Sequence, residues 1–270
     1  MPITEKDKEL RGIIEKNLVG MYSYKAYDTM QMLSVCEENY QYVKNIYNNV
    51  RYKFSTAQIL CKSYLPEKAK ELFALFSASD EAIVRSIAVN VAKTHGIDLT
   101  EFFAEMDRKS KKMLENPESE IAFVKKYAEK YRVDVSDNGL FAVIYNPFCQ
   151  NPLSEDSIFV AYEEDEYTVC FSFQHVHVQY PEDAENWIEE VMSEERLPIE
   201  FFKDGRRVMG GDIKATALRK LTYESLKVYF RNEELCGLAD SFKIRSWSGE
   251  KNLDAEFVCI DGKIMIKVIG

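Results

Sequence analysis

The sequence contains few histidines, and its cysteines are widely spaced. Of its 270 residues, three are histidine and six are cysteine. No two cysteines form a C-x-x-C pair, which argues against a zinc knuckle or a thioredoxin-like redox site. Most of the cysteines have apolar neighbours, as at Cys170 between valine and phenylalanine, so we expect reduced thiols packed in the core.

Recognised catalytic motifs are absent as well. The chain contains no G-x-S-x-G, no H-E-x-x-H and no phosphate-binding loop. Nucleophilic catalysis needs a base close to a serine or cysteine, and only His175 and His177 stand near Cys170. Paired-carboxylate chemistry stays open, because carboxylates are abundant and their separations are invisible in a sequence. We therefore expect a non-enzymatic protein, with an enzyme as the alternative.

Long apolar runs are missing, and so is an apolar segment near the start. No run approaches the roughly 20 residues that a membrane span requires. The first residues, MPITEKDKELRG, are polar and charged, unlike a secretory signal. We expect a cytoplasmic protein without membrane segments. A composition of 46% hydrophobic and 13% aromatic residues is that of a globular chain that can bury its own core.

Negative charge is concentrated in the second half of the chain. Residues 1–136 have 21 basic and 20 acidic side chains, whereas residues 137–270 have 14 and 25. The net charge of −10 therefore belongs to the second half. Such a surface repels nucleic acid and anionic membranes and attracts basic partners.

Helical spacing dominates residues 1–135, which we predict to be an all-α domain of roughly six helices. The clearest apolar stripe runs from Leu33 to Phe54 in steps of three and four, which predicts one helix of about five turns. Asp80 or Ser79 is placed to cap a helix that His95 and Gly96 end.

The run IAVNVAKTHGIDLTEFF in this half, residues 87–103, resembles the end of a lambda-repressor-type helix-turn-helix domain. In that family a helix with small residues is followed by a short turn and then by apolar residues that open the last helix. The resemblance implies a transcriptional regulator as an alternative function. Because the half is nearly neutral and lacks a basic face, we expect that DNA is not a partner. The matching positions are Ile87, Ala88, Ala92, Gly96, Ile97, Leu99 and Phe102.

Strand and turn signals fill residues 136–270, which we predict to be an acidic, mainly antiparallel α+β domain. The pairs Asp204-Gly205 and Asp261-Gly262 predict tight hairpins. Gly210-Gly211 is expected to end a strand, with a bulge or the close approach of another strand as the reason. The fold class expected for the whole chain is α+β, with the helical domain first.

Two of the histidines lie in the run YTVCFSFQHVHVQY, which is predicted to be one strand, residues 167–180. Alternation along that strand places His175 and His177 on the face of Val169 and Phe171, with Cys170 opposite, unless a bulge near Gln174 switches faces. A His-x-His pair on a strand can chelate a transition metal.

The spacing of these histidines to Glu182 resembles the first cupin motif. That resemblance implies a metal-dependent enzyme as a further alternative. The other interpretation is that the two histidines pack on core aromatics or line a pocket.

An acidic helix is predicted over residues 182–195. Its apolar stripe is Ala184, Trp187, Ile188, Val191 and Met192, and carboxylates fill the rest. The first interpretation of those carboxylates is a solvated face; the functional one is a docking surface for a basic protein. The site residues expected for that role are Glu182, Glu185, Glu189, Glu190 and Trp187.

The segment that contains the histidines, the acidic helix and FFKDGRRVMGG resembles small bacterial domains, some of them immunity-type proteins of toxin systems. The resemblance implies an inhibitor-like interaction protein that covers a basic nuclease or a similar toxin. Arg206 and Arg207 in the same segment could clamp a carboxylate or a phosphate.

Overall fold

This computed structural model describes residues 3–18, 24–50, 53–116, 119–148, 157–231 and 235–269. The chain divides into two compact units. The first comprises Met1–Lys109 and Ser136–Asn138, and the second comprises Ser110–Val135 and Gly139–Gly270. An N-terminal helical region followed by antiparallel sheets confirms the predicted α+β class. Within the described ranges, no helix has both the length and the apolar character that crossing a bilayer requires.

The first unit is built from helices packed around a tyrosine-rich core. Tyr40, Tyr47 and Tyr64 are buried there together with aliphatic side chains and Phe76. Thr4 caps the first helix in a reciprocal capping box with Asp7. The helices are α1 (Glu5–Asn17), α2 (Tyr24–Met30), α3 (Glu37–Asn49), α4 (Phe54–Tyr64), α5 (Ala69–Ser77), α6 (Ala82–His95) and α7 (Thr100–Leu114), the last of which continues into the second unit.

The predicted five-turn helix from Leu33 to Phe54 was wrong. Helix α3 ends at Asn49, because Val50 leaves the helix with extended backbone angles, and α4 begins separately at Phe54. Apolar spacing alone did not reveal the break, since the stripe continues in phase across it. The cap prediction for α6 was also wrong, because Glu81 precedes the helix and the Ser136 hydroxyl accepts from the Ala82 amide.

The first sheet of the second unit is a five-stranded antiparallel meander. Its core lies on the face that contains Val160 and Phe171, where α8 and a 3-10 helix (Ala122–Glu129) pack. The strands, in their order across the sheet, are β1 (Val133–Val135), β2 (Phe141–Ile144), β3 (Ile158–Glu163), β4 (Glu166–Phe171) and β5 (Gln174–Val178), and α8 spans Pro181–Met192.

A second five-stranded antiparallel sheet follows α8 in the order β10-β9-β8-β6-β7. Phe201, Phe242 and Phe257 form an aromatic cluster in its core. The strands are β6 (Arg196–Lys203), β7 (Arg206–Lys214), β8 (Ser241–Ile244), β9 (Leu253–Ile260) and β10 (Lys263–Val268), and the helices are α9 (Ala215–Leu218), α10 (Tyr223–Phe230) and α11 (Leu235–Leu238).

The two Asp-Gly hairpins are confirmed. Asp204 and Gly205 join β6 to β7 with φ angles of 50° and 72°, and Asp261 and Gly262 join β9 to β10 with 50° and 73°. Both central residues of a type I′ turn require positive φ, which aspartate and glycine adopt readily.

The Gly210-Gly211 pair lies inside β7 and does not end it, so that part of the prediction was wrong. The closest neighbours of a Cβ at either glycine are side chains and not another strand. A Cβ on Gly211 would lie 2.6 Å from Cε1 of Phe230. A Cβ on Gly210 would lie 2.5 Å from Nε2 of Gln174. At Gly211 the neighbour is an aromatic ring, so a Cβ would force that ring to shift, whereas at Gly210 the close atoms end flexible side chains that can move away.

Candidate functional site

The histidines lie on a hairpin and not on a single long strand. Strand β4 ends at Phe171, Ser172 adopts a positive φ of 54°, and the chain returns as β5. In the register of this pair, Cys170 faces His175 and Thr168 faces His177. The histidines thus share a face with Cys170, and the predicted placement beside Val169 and Phe171 was wrong.

The two imidazoles form an exposed pair. Their ring centroids are 5.1 Å apart and their planes are nearly perpendicular. Nδ1 of His177 lies 2.7 Å from Oε1 of Glu166 and 3.1 Å from Oγ1 of Thr168. Burial raises the pKa of the neighbouring Cys170 thiol to about 11, so little thiolate is present at neutral pH. A Cys170 nucleophile activated by His175 is therefore disfavoured despite their adjacency.

Glu182 does not join the histidines. It lies at the start of α8, and that helix packs against Val169 and Phe171 on the opposite face of the sheet. The spacing that resembles the first cupin motif is thus not assembled into one site. Across the described residues, no group of three or more His, Cys, Asp or Glu side chains could hold a metal ion.

The apolar stripe of α8 is confirmed. Ala184, Ile188 and Val191 are buried, and Trp187 is only 7% exposed within the same core. A partner that approaches this helix from solvent would therefore contact the carboxylates and not the indole. Trp187, which was predicted to bind a partner, packs in the core of the second unit.

Several α8 carboxylates already have cationic partners inside the unit. Lys126 forms ion pairs with Glu185 and, at 2.7 Å, with Glu189. Burial disfavours the charged form of Lys126, but these hydrogen bonds outweigh it and raise the lysine pKa. The Arg196 guanidinium lies 2.5 Å from a carboxylate oxygen of Glu190. Three of the four carboxylates predicted to bind a partner are thus partly neutralised.

Glu194 lies beyond the helix that was predicted to include it. Helix α8 ends at Met192, and Glu194 has a positive φ of 58° and is almost fully buried. Its carboxylate accepts from the Ser248 amide at 2.7 Å and pairs with Lys251 at 2.9 Å. Burial opposes its ionisation, yet these contacts prevail and lower the pKa. The Glu194 carboxylate therefore ties the end of α8 to the β8–β9 connection.

Glu120 and Asp165 each contact a tyrosine, and the charge of Glu182 acts on one of the two rings. The Tyr167 hydroxyl donates to the Glu120 carbonyl at 3.2 Å, and the Tyr162 hydroxyl lies 3.3 Å from Oδ1 of Asp165. The two rings are 4.9 Å apart. Burial, and then the charges of Glu120 and nearby Glu182 among others, raise the pKa of Tyr167 to about 12. We call these five residues the acidic tyrosine patch.

The carboxylates of this patch are exposed and lack basic neighbours. Glu120, Asp165 and Glu182 form no ion pair in the described part of the chain. Sequence reasoning identified Glu182 but missed the other two. The only available signal for Asp165 was the charged turn at residues 163–166, and nothing pointed to Glu120.

The proposed arginine clamp is engaged within the protein. Nε of Arg207 lies 2.6 Å from Oε1 of Glu200, which is buried in β6. Its Nη2 also donates to the Phe173 carbonyl at 3.0 Å. Arg207 therefore ties the β4–β5 turn to β7. Its guanidinium group, which could have bound an external carboxylate or phosphate, is already engaged by these contacts.

The segment that resembles a helix-turn-helix has the expected helix boundary. Gly96 ends α6 with a φ of 64°, and α7 begins at Thr100. Phe102 packs edge-on against Phe73. Arg108 pairs with Glu105 at 2.7 Å, which reduces the local positive charge. The expectation that DNA is not a partner stays a prediction.

The first unit has a small pocket next to the start of α3. Its volume is about 170 Å³, and Nζ of Lys68 lies 4.7 Å from the Tyr40 ring centroid. Lys68 also pairs with Glu37 at 2.7 Å, so these two charges offset each other. The lining residues are Val35, Cys36, Glu37, Tyr40, Tyr64, Glu67 and Lys68.

Comparison with protein-family models, curated proteins and solved structures finds no match for this chain.

Proposed function

We propose that the chain is a non-enzymatic interaction protein whose second unit binds a basic segment of a partner protein. The observation that supports this most is the acidic tyrosine patch. Glu120 contacts Tyr167, Asp165 contacts Tyr162, and the charge of Glu182 acts on Tyr167, while none of the three carboxylates forms an ion pair within the described residues. A partner cation could therefore pair with them without displacing an internal lysine or arginine.

The tyrosines make the patch more selective than charge alone. Tyr162 is half-buried and packs against the buried ring of Tyr167, so the exposed part of the Tyr162 ring is the aromatic surface beside the carboxylates. An arginine or lysine can pair with a carboxylate and lie over such a ring at the same time. Electrostatic complementarity of this kind accelerates encounter and excludes acidic partners.

This proposal moves the centre of the expected docking surface. Glu182 at the start of α8 stays in it, whereas Glu185 and Glu189 are already paired with Lys126. Exposed ion pairs of this kind contribute little stability, but each lowers the charge that a partner meets. The resemblance to immunity-type domains supports an inhibitor-like role, with a basic toxin as the class of partner.

Two triple variants with the same change in net charge test the proposal. The first replaces the patch carboxylates (Glu120→Gln, Asp165→Asn, Glu182→Gln), and the second replaces the paired ones (Glu185→Gln, Glu189→Gln, Glu190→Gln). Binding of a fluorescent arginine-rich peptide is measured by anisotropy over a range of salt concentrations. We expect the first variant to lose most of the binding and the second to retain it. Equal losses in the two variants would show that net charge, and not the patch, determines binding.

A further inference from the structure

A transition-metal site is suggested by the geometry of the histidine pair. His175 and His177 project from the same face of β5, which is the last strand of its sheet, and both rings are exposed. Two imidazoles bound to one tetrahedral ion through bonds of about 2.1 Å have ring centroids about 5 Å apart. The observed separation of 5.1 Å matches that value.

Glu166 prepares one of these rings for a metal. An ionised carboxylate can only accept a hydrogen bond, so at 2.7 Å it requires the hydrogen of neutral His177 to be on Nδ1. The lone pair of the ring is then on Nε2. Metal-binding histidines commonly donate a hydrogen bond from the N–H of their second ring nitrogen to a carboxylate, which fixes the ring and increases the basicity of the ligating nitrogen. The cross-strand neighbour Thr168 lies against the same nitrogen and further restricts the ring.

We propose that His175 and His177 chelate one divalent transition ion, with Glu166 as a positioning residue. Imidazole ligands favour copper, nickel and zinc over calcium and magnesium, and copper should bind most tightly of the three. Since no group of three His, Cys, Asp or Glu ligands occurs in the described part of the chain, water completes the coordination. The ion is therefore exposed and exchangeable, unlike a closed structural zinc. This inference is independent of the acidic tyrosine patch.

Titration with Cu²⁺, Ni²⁺ and Zn²⁺ by isothermal calorimetry tests the site. We expect one ion per chain and the strongest binding for Cu²⁺. Glu166→Gln should weaken binding about tenfold by removing the support of the His177 ring. His175→Ala and His177→Ala should each weaken it more, because each removes a ligand. His95→Ala is the matched control, since the third histidine lies in the other unit, and it should leave binding unchanged.

The electron paramagnetic resonance spectrum of bound Cu²⁺ provides a second measurement. Couplings to two imidazole nitrogens are expected in the wild-type protein, and to one nitrogen in either single alanine variant. His175 and His177 are exposed and Glu166 and His95 are partly exposed, and far-UV circular dichroism checks that the variants fold. Unchanged binding in the His175→Ala/His177→Ala double variant, or no binding by the wild-type protein, would overturn the proposal.

Discussion

Replacing Gly211 with alanine should destabilise the second unit by a predictable mechanism. The added Cβ would lie 2.6 Å from Cε1 and 3.4 Å from Cζ of Phe230. Restoring an ordinary carbon–carbon contact requires a displacement of about 1 Å. Phe230 is held by an edge-to-face contact with Phe201, whose ring centroid is 5.0 Å away. Overpacking against such a restrained ring costs about 1–3 kcal/mol.

The chain contains a convenient probe and a matched control for this variant. Both tryptophans, Trp187 and Trp247, belong to the second unit, so urea unfolding followed by fluorescence reports on that unit. Gly237→Ala serves as the control in the same unit, because a Cβ there meets nothing within 4 Å. We expect Gly237→Ala to change the free energy of unfolding by less than about 0.5 kcal/mol.

A double-mutant cycle separates the steric mechanism from a general loss of stability. Phe230→Leu removes the ring atoms that Gly211→Ala would contact, although it loses the packing against Phe201. The double variant should therefore be more stable than the sum of the single effects predicts, by at least about 0.5 kcal/mol. Additive effects, or a Gly211→Ala variant as stable as the wild type, would refute the reasoning.

Two further predictions concern titratable groups. Asp7 accepts hydrogen bonds from the backbone and side chain of Ser34 and Thr4, which lower its pKa well below the usual value. The ionised Asp7 carboxylate therefore contributes its full stabilisation of the folded protein above about pH 4, and this contribution is lost as the pH falls further. The Asp7→Asn variant should be less stable than the wild type at neutral pH, and its free energy of unfolding should fall less on acidification. Unfolding monitored by far-UV circular dichroism checks this, and parallel pH curves would contradict it. Burial raises the pKa of Cys170 to about 11, so iodoacetamide should alkylate it more slowly at pH 8 than the exposed Cys259. Mass spectrometry of the labelled peptides measures the alkylation rates of Cys170 and Cys259, and equal rates would contradict the prediction that burial slows the reaction of Cys170.

Local chemistry predicted the turns and the helix ends that depend on special backbone angles. Asp204-Gly205 and Asp261-Gly262 form the expected hairpins, and Gly96 ends α6. In each case the residue type itself permits the positive φ that the turn requires. Such features depend on neighbours in the sequence and are therefore visible without a structure.

The turn between β4 and β5 had no comparable signal. Ser172 and Phe173 stand where a hairpin usually has glycine or asparagine, yet Ser172 adopts a φ of 54°. Without that turn, the run from Tyr167 to Tyr180 was interpreted as one alternating strand. Since side chains alternate with a period of two, the missed turn changed the face assigned to both histidines.

The charge state of the acidic helix depended on a long-range contact. Lys126 is 59 residues from Glu185 and 63 from Glu189 in the sequence, and no periodicity connects them. The position of Lys126 decides which carboxylates of α8 stay available to bind a partner. Net charge therefore predicted an acidic surface in this half, but it could not locate the unpaired part of that surface.

The acidic tyrosine patch follows from geometry of the same kind. Glu120 precedes the 3-10 helix, Asp165 is in the β3–β4 turn, and Glu182 begins α8, so three distant segments contribute one carboxylate each. The charges of Glu120 and Asp165 act on Tyr162, those of Glu120 and Glu182 act on Tyr167, and none of the three carboxylates forms an ion pair in the described part of the chain. Packing requires the rings but not these exposed carboxylates, which stay free to pair with a cation from outside the chain. For this reason the two equal-charge triple variants should differ in binding.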